Sequence, residues 1–238
     1  MSLPAQLPVQ HQHAILDRSG SMNGKTEDVI GGFRANIQNM RNTDDFNIMV
    51  SAKMFDHEEE LILRSTNVKE ISDEELDSAL QSYVPRGQTG LRDALGNSIT
   101  HFMNYYLINE QFHSCMIYVM TDGLENCSRN PLFYPDKLKE LIERAERECN
   151  IKVFYVGSNQ DAILNAASIG IPVGQAMNFV DSEEVTVQAA FRSLSSAAER
   201  MRSNEVPDFV EVERANSIAV NHATIQEEDI DIPLIRRQ

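Results

Sequence analysis

The chain predicts an α/β fold: a doubly wound, mostly parallel sheet of six strands flanked by helices. Three observations predict it. Short apolar runs alternate with amphipathic segments of helical period, the pattern of a sheet layered between helices. Two apolar runs end on a carboxylate, at Asp17 and Asp122, and each is followed by turn residues. Strand exits of a parallel sheet share one edge, where ligands bind. At 238 residues, the length suits one domain of about 200 residues with an extension.

The elements follow in order. His11–Leu16 contains the apolar run His13-Ala14-Ile15-Leu16 and reads as a buried strand, and Thr26–Arg41 reads as the first helix. Phe46–Phe55 is the second strand. The turn Phe55-Asp56-His57-Glu58 then makes Glu60–Leu63 an antiparallel edge. Asp73–Gln81 is a helix whose acidic start suits free N–H groups and the helix dipole. Pro85, Gly87 and Gly90 mark a loop before the helix Leu91–Tyr106. Ser114–Met120 is a buried-type strand. Helices over Pro135–Asn150, Gln160–Ile169 and Ser182–Ser203 alternate with strands over Ile151–Gly157 and Gln175–Phe179.

Asp17-Arg18-Ser19-Gly20-Ser21 stands where the first strand gives way to the first helix. Its carboxylate and two hydroxyls offer only oxygen, the ligand type of hard divalent cations such as Mg²⁺. Alone, the motif reads as a set of turn formers, because Asp and Ser bond readily to nearby backbone. Thr89 on the Pro/Gly-marked loop and Asp122-Gly123 at a strand exit change the balance, since the shared sheet edge brings them to the same place.

The ordered set Asp17-x-Ser19-x-Ser21, Thr89 and Asp122-Gly123 resembles the signature of von Willebrand factor A domains, from about His11 to about Arg202. Gly20 and Met22 fit its D-x-S-G-S-M form, and Val156-Gly157-Ser158-Asn159-Gln160-Asp161-Ala162 looks like the compact bacterial and phage members. The resemblance implies strand order 3-2-1-4-5-6, with Asp17 beside Asp122. It also implies a metal-ion-dependent adhesion site in which Asp17, Ser19, Ser21, Thr89 and Asp122 hold Mg²⁺, or Mn²⁺ or Ca²⁺. A protein partner's Asp or Glu would complete the metal shell. Loop residues Arg18, Met22, Asn23, Arg86, Gln88 and Glu125 are candidates for the partner-binding rim. Arg18 and Arg86 would reinforce carboxylate binding through charge-assisted bonds.

Composition narrows the function. The net charge of −15 disfavours nucleic acid as a partner. No run approaches the ~20 apolar residues of a membrane span. Residues Met1 to Gln10 show neither the basic start nor the apolar core of a secretory signal, so a cytoplasmic or virion-associated setting is expected. Three widely spaced cysteines, Cys115, Cys127 and Cys149, fit a reducing compartment.

The expected organisation is an N-terminal arm over 1–10, a domain over 11–203 and an acidic extension over 204–238. The extension carries eight acidic residues against three basic ones and short apolar pieces such as Phe209-Val210-Glu211-Val212 and Ile230–Ile235. Pieces of this kind can add as strands to a sheet edge. Docking on a neighbouring subunit and packing on the chain's own domain both remain open.

Two rival functions are weighed. One is a structural component of an assembly, a phage virion among them, with the metal clamping an interface. The other is a Mg²⁺-dependent phosphatase of the haloacid-dehalogenase type. Such enzymes place a second Asp two residues after the nucleophile as the proton-transfer group. Ser19 occupies that position here. The expectation is therefore a binding module and not an enzyme.

Overall fold

The computed structural model describes residues 7–109, 111–158, 161–180 and 184–219. Six strands form one sheet in the order β3-β2-β1-β4-β5-β6. They are β1 (Val9–Asp17), β2 (Asn47–Phe55), β3 (Glu59–Asn67), β4 (Phe112–Thr121), β5 (Ile151–Gly157) and β6 (Ala176–Asn178). Every pairing is parallel except β2 with β3. The expected fold class and strand order are both found.

β1 lies at the centre and is buried along all its residues. Its second half, Ala14-Ile15-Leu16, is the continuous apolar run expected of a strand covered on both faces, while Gln10 to His13 are polar yet buried. Its even-numbered side chains, such as Ala14 and Leu16, join one core cluster with α1 (Thr26–Arg41), α2 (Asp73–Leu80) and α6 (Glu184–Arg202). Its odd-numbered side chains point the other way. Ile15 packs there with α3 (Leu91–Tyr106), α4 (Pro135–Cys149) and α5 (Ala162–Ser168). Asp17 belongs to this second face by the same alternation.

Local signals set the helix ends. Ser72 caps α2 by accepting from Glu75 N at 3.0 Å. α4 begins on Pro135 and stops at Asn150, whose φ of 51° is the left-handed C-terminal turn. Among the described residues no helix is long and apolar enough to cross a membrane.

The extension departs from expectation. β1 already includes Val9 and Gln10, so only part of the expected arm precedes the sheet. At the other end, residues 211–218 form a helix, α7 (Glu211–Ile218), rather than a strand. Glu213 makes it one: its carboxylate accepts from Val210 N at 2.9 Å and receives a two-pronged ion pair from Arg200 on α6, at 3.0 Å each. Phe209 is buried edge-on against Phe154, with ring centroids 5.3 Å apart. Arg214 donates to the carbonyls of Val173 at 2.8 Å and Gly174 at 3.0 Å. This stretch therefore packs on the chain's own domain. Ile230–Ile235 lie outside the described residues.

Candidate metal centre

Parallel pairing sets Leu16 opposite Met120, so β1 and β4 deliver Asp17 and Thr121 side by side at one sheet edge. Thr121 Oγ1 donates to Asp17 Oδ2 at 2.5 Å, and Ser19 N donates to Asp17 Oδ1 at 2.6 Å. Asp17 is fully buried. Burial pushes its carboxyl up to about 6, and the nearby Asp122 charge adds to the rise, while the bonds from Thr121 and Ser19 oppose it.

Above Asp17 runs a chain of oxygens. Ser19 Oγ and Ser21 Oγ lie 3.1 Å apart, and Ser21 Oγ donates to Asp122 Oδ1 at 2.6 Å. Gly123 explains how Thr89 joins them. A methyl on its α-carbon would lie 2.9 Å from Thr89 Oγ1 and 3.4 Å from Ser21 Oγ, so the third loop approaches closely only because a side chain is missing. All five sequence-identified oxygen residues thus meet at the edge. The donor set is two carboxylates and three hydroxyls, which suits a hard divalent cation. The cluster also receives positive charge within the chain itself: the Lys25 ammonium pairs with Asp122 Oδ2.

The rim differs from expectation. Met22 is fully buried in the α1 core and presents nothing to a partner. Arg18 is only 3% exposed. Its Nε donates to Asp56 Oδ2 at 3.0 Å and its Nη1 to Glu60 Oε2 at 2.5 Å, so it braces the β2–β3 turn. Glu125 accepts from the backbone N–H of Arg92, Cys127 and Ser128, at 2.8, 2.9 and 2.6 Å, fastening the third loop to the start of α3. Arg86 is half exposed but engaged, donating to Asp56 Oδ2 and Glu58 Oε2 at 2.8 Å each. Asn23 and Gln88 are exposed, and Leu124, next after Gly123, is 61% exposed.

Asp56 is the residue that motif reading missed. It is buried, and one of its oxygens takes guanidinium N–H groups from both Arg18 and Arg86. Its carbonyl accepts from Gly90 N at 2.8 Å, while Arg18 O accepts from Arg86 N at 2.8 Å and Gly87 O from Gly20 N at 3.2 Å. The first and second site loops are thereby bound to the β2–β3 turn and to each other. Gly87 manages this with a φ of 67°, which an L side chain rarely adopts. Asp56, His57 and Glu58 bring ligand-type atoms within 4.8 Å of one another. The two arginines already occupy Asp56, and His57 Nδ1 sits 3.0 Å from its other oxygen. Cys127 lies nearby with its thiol pushed up, chiefly by burial and then by Glu125, so it is not activated.

No protein-family model matches the chain, and no curated protein matches it in sequence. Solved structures do resemble it. A von Willebrand factor type A protein from Catenulispora acidiphila superposes with a TM-score of 0.58 at 13% identity, covering 80% of this chain and 43% of that one. The PilB minor pilin from Streptococcus sanguinis gives 0.60 at 13% identity, over 86% and 63% of the two chains. Proximal thread matrix protein 1 from the mussel byssus, with a zinc-occupied MIDAS motif, gives 0.54 at 15% identity, over 79% and 47%. The chain spans less than two thirds of each of these three proteins. At such identities the likeness concerns the fold, which is that of von Willebrand factor A domains.

Proposed function

We propose that this chain is a protein-binding module, in which Asp17, Ser19, Ser21, Thr89 and Asp122 hold a divalent cation and a partner's Asp or Glu carboxylate completes its shell. The observation that carries this reading is the hydrogen-bonded run Ser19–Ser21–Asp122, closed by Thr89 at Gly123 above the buried Asp17. Mg²⁺ is the cation we favour, with Mn²⁺ and Ca²⁺ as chemically close alternatives. The zinc-bearing mussel protein and the pilin support a metal-linked interaction role by analogy of fold alone.

The two carboxylates would balance a dication and the three hydroxyls add no charge, so an incoming carboxylate would be held by direct coordination at an open position of the shell. The exposed Asn23, Gln88 and Leu124 would then meet the partner's flanking residues. Ser19 stands where phosphatases of the haloacid-dehalogenase type carry their proton-transferring Asp, which favours binding over that form of hydrolysis.

Calorimetric titration of the full chain with MnCl₂ and MgCl₂ tests the site. Saturable binding is expected, lost in Ser19→Ala and Asp122→Ala while their circular dichroism stays native. Undiminished affinity in both variants would remove this cluster from consideration. A pull-down in Mg²⁺ compared with EDTA tests the partner: capture that survives chelation would defeat the metal-bridged reading.

A further inference from the structure

The sheet face that carries Asp17 also carries a cleft that the oxygen cluster does not use. On this face α3 packs over the sheet centre, whereas α2, which follows β3, packs on the opposite face. α3 meets β2 and β3 near their connecting turn, through Phe55 and the Asn97–Glu59 bond at 2.6 Å, and beyond these contacts the face opens as a cleft. The space left between α3 and β3 is about 500 Å³, floored by His13, Ser51, Ser98 and Phe102 and rimmed by Leu61 and Arg64. Small-molecule sites are typically clefts of roughly 300–1,000 Å³ with apolar walls and a few placed polar groups.

The floor is polar where a sheet face beneath a helix is ordinarily aliphatic. His13 is 3% exposed and bonded at both ring nitrogens. Ser98 Oγ donates to Ala94 O at 2.8 Å, so it accepts from His13 Nε2–H at 3.1 Å. His13 Nδ1 then accepts the Ser51 hydroxyl proton at 2.8 Å. Burial, and then Lys53 and the other histidines, hold this imidazole well below its usual value, so it stays neutral and fixed in one tautomer.

The rim is shaped by an irregularity in β3. Val50 pairs with Thr66 and Ala52 with Leu63, so Ser51 faces two residues, Arg64 and Ser65. Such a bulge re-aims side chains, and here both bulge residues line the cleft. Lys53 is matched by Glu59 at 2.6 Å, while Arg64 makes no ion pair among the described residues. The cleft thus carries a positive charge on a chain of net charge −15. A local reversal of sign selects for an anion.

We propose that this cleft is a second ligand site, separate from the oxygen cluster, for a small amphipathic carboxylate. Its apolar body lies on Phe102 and Leu61, and its carboxylate meets the planar Arg64 guanidinium, which can bind it through two parallel N–H bonds.

The test is an NMR titration of the full isotope-labelled chain with benzoate, using benzylamine as the cationic control of the same body. Benzoate is expected to give saturable shifts of the Ser51, Ser98 and Phe102 amide signals, and benzylamine none. Arg64→Gln alters an exposed side chain and should weaken benzoate by roughly tenfold, the loss of one charge-assisted interaction. Asp122→Ala should leave benzoate binding unchanged, which separates this site from the metal-linked reading. The proposal is overturned by an absence of saturable shifts, by an equal response to benzylamine, by a wild-type titration curve in Arg64→Gln, or by loss of benzoate binding in Asp122→Ala.

Discussion

The Lys25 ammonium pairs with Asp122 inside the oxygen cluster, one residue before α1 begins. A cation from the chain thus already engages an oxygen that the proposed divalent ion would use. Its displacement opposes metal entry, so Lys25→Met should bind Mn²⁺ more tightly, by roughly three- to tenfold for a partly buried pair. Calorimetry decides, and weaker binding in the variant would show that Lys25 supports the site instead.

Asp56 joins two guanidinium groups and two site loops. Removing one partner of a buried ion pair leaves an uncompensated charge and costs about 3–5 kcal/mol. Arg18 is the buried partner; Arg86 is half exposed and adds little. Asp56→Ala is therefore expected to lower unfolding free energy by about 3 kcal/mol and to weaken Mn²⁺ binding without touching a ligand. Urea denaturation and calorimetry on the same preparation measure both. A stable variant with native metal affinity would dissociate Asp56 from the site.

His11 gives a pH dependence with a definite sign. Burial and then His101 hold its imidazole at about 4, against about 6.5 when unfolded. Between those values the unfolded chain binds the extra proton, so stability falls as pH drops from about 6.5 to about 4. Asp17 acts in the opposite direction, because its raised carboxyl keeps a proton that the unfolded chain has released. Comparing wild type with His11→Phe cancels Asp17. The ring already lies among Phe102, Tyr105 and Phe112, with centroids 4.8–5.5 Å away. The variant should flatten the acid limb by on the order of 3 kcal/mol. Parallel stability curves across this pH range would contradict the assignment.

Phe209 anchors the chain after α6. Phe209→Ala should cost about 3–5 kcal/mol, as for other buried aromatic truncations. Ending the chain after Ser203 should cost at least as much, since it also removes the Glu213 partner of Arg200. Thermal melts measure both. An unchanged melting temperature in either variant would mean that this contact contributes nothing to the fold.

How far these features were legible depended on the range of the signal. The alternation of strands and helices was readable from local periodicity, and the five oxygen residues from an Asp at each strand exit and a Thr on a loop. The sheet order came only through the family resemblance that those residues carry. Arg18 and Met22 were misread because a loop position does not reveal a side chain's direction. Arg18 turns toward Asp56, 38 residues away, and Met22 into the core. Asp56 itself looked like an ordinary turn residue. The α7 segment was misread because Phe209-Val210-Glu211-Val212 alternates like a strand, while the Arg200–Glu213 pair and the Val210 cap that favour a helix are tertiary or positional facts. Lys25 left a weaker trace: a basic residue just ahead of a helix start is out of place for the dipole and invites a search for its anion.

The bond from Thr121 to Asp17 closes a separation of 104 residues in the chain. No short fragment contains the cluster, so it has no local precursor during folding. During synthesis, Asp17 emerges long before Asp122, and the buried carboxylate cannot find its neighbours until β4 has taken its place beside β1. Joining ends so far apart is entropically slow. An ion that needs the finished edge would therefore arrive after assembly, lengthening the lifetime of the folded state rather than hastening its formation.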